Sequence, residues 1–361
     1  MIVPVRKPIR RKKAETYLLI TLLSFAISIS LTRLFLKITN YPKIGGGELH
    51  IAHVLWGGLI LFSACLLPII FANRWAFFYG AVGAGIGVGL FIDEVGKFIT
   101  SSNDYFYPGA APIIYAIFLL TILVYVRIKK PRSYDVRTEL YYVFEDMEEV
   151  LDHDLSKEEK EEIIKRLQAV KNHSIHPDID RLAVNLHDFI TDQNLVVVPQ
   201  KPSYLVEFCQ KWIARFSKWL TRNRFRTILV AGLACWGLWA IYVPVVLFAT
   251  SNTSQRMIHI VSDLVERRVI RDITVLPWFE ARLSIESGVG LVILAASFLL
   301  AIGKDRKAID LSYASLLVSL TVVNLIVFYF DQFSTIIYAL IQLILFIGVI
   351  SYRDRFLEKI E

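Results

Sequence analysis

Cysteine is scarce in this chain. Of 361 residues only Cys65, Cys209 and Cys235 are cysteines, and no two have the spacing of a disulfide framework or a metal site. Basic residues are few in 39–49 and 99–109 and missing from 331–334. The glycine run Gly80, Gly83, Gly85, Gly87, Gly89 has no strand before it and lies in an apolar stretch, which excludes a nucleotide-binding loop.

What is abundant is apolar. The hydrophobic fraction is 55% and the mean hydropathy +0.50, against roughly 45–50% apolar for a soluble domain. A bilayer crossing takes about 20 mostly apolar residues. Eight segments qualify: 16–38, 50–72, 75–98, 110–127, 226–249, 283–303, 308–330 and 334–352. The chain therefore reads as an all-α polytopic membrane bundle in the cell membrane.

Basic residues favour the cytoplasmic side. With Arg6, Lys7, Arg10, Arg11, Lys12 and Lys13 inside, eight spans put Arg74, the middle segment, Lys304, Arg306, Lys307, Arg353 and Arg355 on that side too. Both termini are then cytoplasmic. The net charge of +7 is mostly topology and gives no case for nucleic acid. The first apolar run continues to Phe35, past any small-residue cleavage site, so it reads as a retained span rather than a signal peptide.

The apolar segments recur. Leu59-Ile60-Leu61 with Ala64 aligns with 291–296 at a shift of 232, which also sets Arg74 on Arg306. Ile92-Asp93-Glu94-Val95 falls on Phe330-Asp331-Gln332-Phe333, and Ile113-Ile114-Tyr115-Ala116 on Ile336-Ile337-Tyr338-Ala339. The expectation is two parallel four-helix repeats, 1–130 and 226–361, around an inserted cytoplasmic helical domain, 131–225.

Within the insert, Leu140, Val143, Phe144, Met147 and Leu151 form one stripe of a helix over 138–151. Ser156-Lys157-Glu158-Glu159 is a capping box opening a helix to about Val170. A third helix covers 181–190. His153, His173, His176 and His187 read as surface residues. Residues 131–200 are a candidate surface for a cytoplasmic protein partner. From Tyr204 to Arg226 aromatics alternate with cations, predicting a helix in the headgroup region against anionic lipid. A further amphipathic stretch at 257–268 precedes Pro277-Trp278-Phe279, an interface anchor.

Ionisable groups inside a membrane are costly and usually functional. Glu48, His50 and His53 start the second span, Asp93 and Glu94 fall near the end of the third with Lys97 beyond, and Arg33 ends the first. Glu280, Arg282 and Glu286 open the sixth span, and Asp331 and Gln332 close the seventh. On the inferred topology all lie at the external ends. His50 and His53, three apart, share a helix face. With Asp93 they are a candidate set for a divalent metal such as zinc, or a hydrogen-bonded cluster tying helices together. Asp331 is expected to meet Glu286 or Arg282. The glycine-rich third span is expected to pack closely on the second, with Gly57 and Gly58 facing it.

The run Glu48-Leu49-His50-Ile51-Ala52-His53-Val54-Leu55-Trp56-Gly57, followed by Leu90-Phe91-Ile92-Asp93-Glu94, resembles a pattern in uncharacterised multi-pass prokaryotic integral membrane proteins. It covers the first half only and implies no activity. Membrane ceramidase-like hydrolases also gather histidines and an aspartate at one bundle end. The late His-x-x-x-His that they carry is missing, because no histidine follows His259. Three functions stay open: a transporter-like role with a polar site near the external leaflet, a metal-dependent membrane enzyme using His50, His53 and Asp93, and a non-catalytic scaffold or sensor.

Overall fold

The computed structural model describes residues 7–40, 52–130, 134–173, 176–192, 195–199, 220–250 and 276–357. Among them all regular structure is helical: α1 (Ala14–Ile38), α2 (His53–Ile70), α3 (Arg74–Asp93), α4 (Val95–Ile99), α5 (Ala110–Lys129), α6 (Val136–Leu151), α7 (Lys157–His173), α8 (Pro177–Thr191), α9 (Arg222–Thr250), α10 (Leu276–Ala301), α11 (Asp305–Val318), α12 (Asn324–Asp331) and α13 (Ile336–Phe356). A π turn at Ser319–Val323 joins α11 to α12, and a 3-10 turn at Gln332–Thr335 leads into α13. Eight helices, counting α11–α12 as one, are long and apolar enough to cross a membrane. Their outward faces are apolar: Leu31 of α1, Phe62 of α2 and Ile344 of α13 are each about 60% exposed. Water would penalise such contiguous surface, and lipid does not.

The chain forms two compact units. The first comprises Met1–Phe25, Leu59–Gly87 and Thr121–Lys211. Its helices α6, α7 and α8 enclose Leu140, Val143, Ile163, Leu167, Val170 and Ile190. The capping box is formed: Ser156 Oγ accepts from the Glu159 amide at 3.2 Å, and Glu159 Oε2 accepts from the Ser156 amide at 3.1 Å. The apolar stripe of α6 differs from the expected one. Phe144 and Leu151 are exposed, and Asp146 is buried in their place. The reason is charge: Asp146 accepts from Lys12 Nζ and from Arg74 Nη2, each at 2.7 Å. Arg74 also binds Glu149 and donates to the Glu145 carbonyl at 2.9 Å. Two cations that orientation alone would explain are thus tied to one helix. His153, His173 and His176 are exposed and His187 is half-buried.

Glycines of α3 mark close approaches, on α2 as expected and on α1 as well. A Cβ on Gly83 would stand 3.0 Å from the Ala64 Cβ, and one on Gly80 3.2 Å from the Ala64 carbonyl, so α3 meets α2 there. Gly85 faces α1: its Cβ would lie 2.3 Å from the Thr21 carbonyl. Gly58 of α2, which belongs to the second unit, has open space around it. Gly85→Ala should therefore cost about 1–3 kcal/mol by overpacking against backbone, whereas Gly58→Ala should gain up to about 1 kcal/mol from helix propensity. Unfolding of both variants in detergent checks this; equal stabilities would contradict it.

Acid should loosen the α6–α8 domain. Burial alone would raise the Glu162 carboxyl, but hydrogen bonds from Arg166 and Lys12 outweigh it and hold the group below its usual 4.5. The resulting stability is full above the unfolded value and is lost as pH falls through the lower folded one. Glu162 is partly exposed, so solvent screening keeps the effect small. Amide exchange in α7 measured at pH 6 and at pH 3.5 should show faster opening at the lower pH in the native chain, and a smaller change in Glu162→Gln.

The second unit comprises Ala26–Gly58, Val88–Leu120 and Trp212–Glu361. Leu229, Leu233 and Trp236 of α9, Ile293 and Leu300 of α10, Ile309 and Leu316 of α11, and Val349 and Tyr352 of α13 form its core. Asp305, opening α11, accepts from Arg222 and from the Tyr352 hydroxyl, both at 2.9 Å. At the π turn Tyr115 donates to the Leu320 carbonyl at 2.6 Å, and Asn324 bonds Gln342 at 2.8 Å. At the π turn these buried polar side chains serve as one another's partners, as a low-dielectric interior demands.

Glu48, His50, the 204–219 part of the expected headgroup helix and the expected 257–268 helix lie outside the described residues.

Candidate functional site

The expected third span, 75–98, breaks. Helix α3 ends at Asp93, Glu94 leaves helical geometry at φ −91° and ψ 10°, and α4 starts at Val95. A helix C-terminus strands carbonyls that need donors. Arg33 of α1 supplies one: its Nη2 donates to the Asp93 carbonyl at 3.0 Å. Its Nε donates to Asp93 Oδ1 at 2.5 Å. One guanidinium thereby caps α3 and neutralises its last side chain.

Asp93 is fully buried, and its second oxygen is engaged as well. Tyr105, from the loop after α4, donates its hydroxyl to Oδ2 at 2.6 Å. His53, the first residue of α2, sets Nε2 3.0 Å from the same oxygen. The other imidazole nitrogen, Nδ1, stands 2.9 Å from Glu94 Oε1. That approach is off the N–H direction, so it is an ion contact without an aligned hydrogen bond. Glu94 Oε2 takes Lys97 Nζ at 3.2 Å. Arg33 is held between two aromatic faces, 4.3 Å from the Tyr105 ring centre and 3.8 Å from that of Phe333. Cation–π contacts of this kind contribute about 0.5–2 kcal/mol each.

Arg33 and Lys97 balance Asp93 and Glu94, and His53 lies between the two carboxylates. A neutral imidazole has one donor and one acceptor nitrogen. A carboxylate stands beside each nitrogen, and only the Nε2 contact is a hydrogen bond. The charge of the network thus turns on one proton, placed where two acids compete for it.

The second half gathers its own cluster. Arg282 of α10 grips Asp331 with both terminal nitrogens, Nη1 to Oδ1 at 3.1 Å and Nη2 to Oδ2 at 2.5 Å. Glu286 stands 3.6 Å from the same guanidinium, and Glu280 is exposed. No histidine takes part. The turn after Asp331 reaches the first cluster, since Phe333 covers Arg33 and Gln332 donates to the Phe106 carbonyl at 3.2 Å.

Of the candidate residues, the fold joins His53, Asp93 and Glu94 in one network and Glu286 and Asp331 in another. Sequence reasoning placed Arg33 among the polar residues without giving it a partner, and left out Tyr105 and Phe333. Arg33 had a usable signal, because a lone cation in an apolar span requires an anion from another helix. Tyr105 had none, being an aromatic in an aperiodic loop.

Among the described residues no group of three or more His, Cys, Asp or Glu side chains is placed to hold a metal ion. A divalent ion taking His53 and Asp93 would have to displace the Arg33 and Tyr105 donors. Compared with family models, curated proteins and solved structures, the chain matches none.

Proposed function

We propose that this chain is a transporter-like multi-pass protein of the cell membrane, and that the Arg33–Asp93–His53–Glu94 network is its polar site, near the external leaflet. The observation that carries this reading is the full burial of Asp93 under donors from α1, α2 and the α4–α5 loop. A merely structural tie needs one counter-ion. Here a titratable imidazole is added between two acids, the arrangement found where protons or ions are exchanged.

The reading includes two parallel repeats, 1–130 and 226–361, with 131–225 inserted in the cytoplasm. Parallels between the halves support it. Asp93 and Asp331 each end a helix, each is followed by a short helical turn, and each binds an arginine. At the shift of 232, His50 falls on Arg282 and Glu48 on Glu280. The second half would then keep the scaffold with a fixed cation where the first has a titratable one.

Orientation is checked by labelling single cysteines in a cysteine-free background. Asn103→Cys and Ser262→Cys should react with an impermeant maleimide in intact cells and Lys160→Cys should not; the reverse would invert the topology. Transport is checked on solid-supported membranes with cation, anion and zwitterion jumps. Protein-dependent currents that vanish in Asp93→Asn and persist in Glu280→Gln support the reading. Currents equal in wild type and Asp93→Asn, or none with any solute class, contradict it.

A further inference from the structure

One cavity lies apart from the Asp93 and Asp331 networks. It measures about 160 Å³ and is lined by Arg10, Glu15, Lys129, Lys130 and Tyr142 with their neighbours, all within the first unit. The chain segments around it fix its depth. Lys129 and Lys130 follow the last apolar turn of α5, and Arg10 stands four residues before the start of α1. Where an apolar helix meets its first run of cations, a membrane places its headgroups.

The charges at the cavity are unequal. Arg11 and Lys12 line it too, but they are already committed to Glu145, Asp146 and Glu162. Lys129 and Lys130 are exposed and Glu15 is the lone acid on the wall. Arg10 is pinned by two hydrogen bonds to the end of α5, from Nη1 to the Ile128 carbonyl at 2.7 Å and to the Lys130 carbonyl at 3.3 Å. Its Nε is buried and has no acceptor. A buried guanidinium nitrogen left without a partner is a gap that an incoming anion would close. An oriented guanidinium beside two exposed ammoniums, with Tyr142 in the wall, is the donor set of a phosphate site.

We propose that this cavity binds a phosphate group, with Arg10 orienting it and Lys129 and Lys130 holding its charge. An anionic phospholipid and free inorganic phosphate both offer that chemistry, and the level of the cavity fits the lipid. The proposal is independent of any transport role.

The test uses the full chain and the double variant Lys129→Gln/Lys130→Gln, whose altered side chains are exposed and leave the Arg10 bonds intact. Native mass spectrometry after mixing with phosphatidylglycerol or phosphatidylcholine reads lipid retention, and a thermal shift with inorganic phosphate reads the free ion. The expected result is preferential retention of phosphatidylglycerol, reduced about fivefold per lysine removed. A control that removes two charges elsewhere, Lys157→Gln/Lys171→Gln, should retain it fully. A shift with inorganic phosphate that the double variant abolishes would also support the site and name the free ion as occupant. Equal retention of both lipids with no phosphate shift, or retention unchanged in the double variant, would overturn the proposal.

Discussion

Asp93→Ala should lower the unfolding free energy in detergent by about 3–5 kcal/mol, the range for breaking a buried ion pair on one side. The cost arises less from the lost attraction than from what stays behind. Arg33, 8% exposed, would keep its charge with one partner gone and only the α3 carbonyl and two aromatic faces to hold it. Tyr105 and His53 would lose their shared acceptor as well. Removing both charges should restore most of the loss, since apolar groups of similar volume commonly replace a buried pair at little cost. Denaturant unfolding of Asp93→Ala beside Arg33→Met/Asp93→Leu measures this. A double variant as unstable as the single one would contradict the assignment of the cost to an orphaned cation.

Asp146→Ala should weaken the first unit by about 2–3 kcal/mol, somewhat under the full cost of a broken buried pair. Asp146 is 1% exposed and serves Lys12 and Arg74 together. Both cations have second partners, Glu162 for Lys12 and Glu149 for Arg74, which limits the loss. The effect should be local. Amide exchange in α6 is expected to speed up by roughly 30- to 150-fold, with little change in α9 to α13. Uniform acceleration throughout the chain would instead indicate global destabilisation.

The spans were legible in the sequence because apolar length is the dominant signal and lipid enforces it. All eight recur, most within about four residues at each end, while the sixth starts seven residues earlier at Leu276 and the third stops at Asp93; the capping box gave the start of α7. The failures share one cause. Periodicity ranks side chains by hydrophobicity, so it assigned Phe144 and Leu151 to the buried stripe of α6. The helix buries Asp146 because Lys12, just before α1, and Arg74 of α3 await it there. The break after Asp93 went unseen for the same reason: a helix end capped by an arginine 60 residues away leaves no local mark. Glycine spacing signalled close packing, while the partner of Gly85 was decided by tertiary contacts.

The most direct measurement of the central claim is the solute-driven current of Arg33→Met/Asp93→Leu in proteoliposomes. This variant should fold and insert like the native chain yet lack the charges of the site. Near-native stability with no current above protein-free liposomes is the expected result. A current equal to that of the native chain would contradict it and leave the network as a tie between helices.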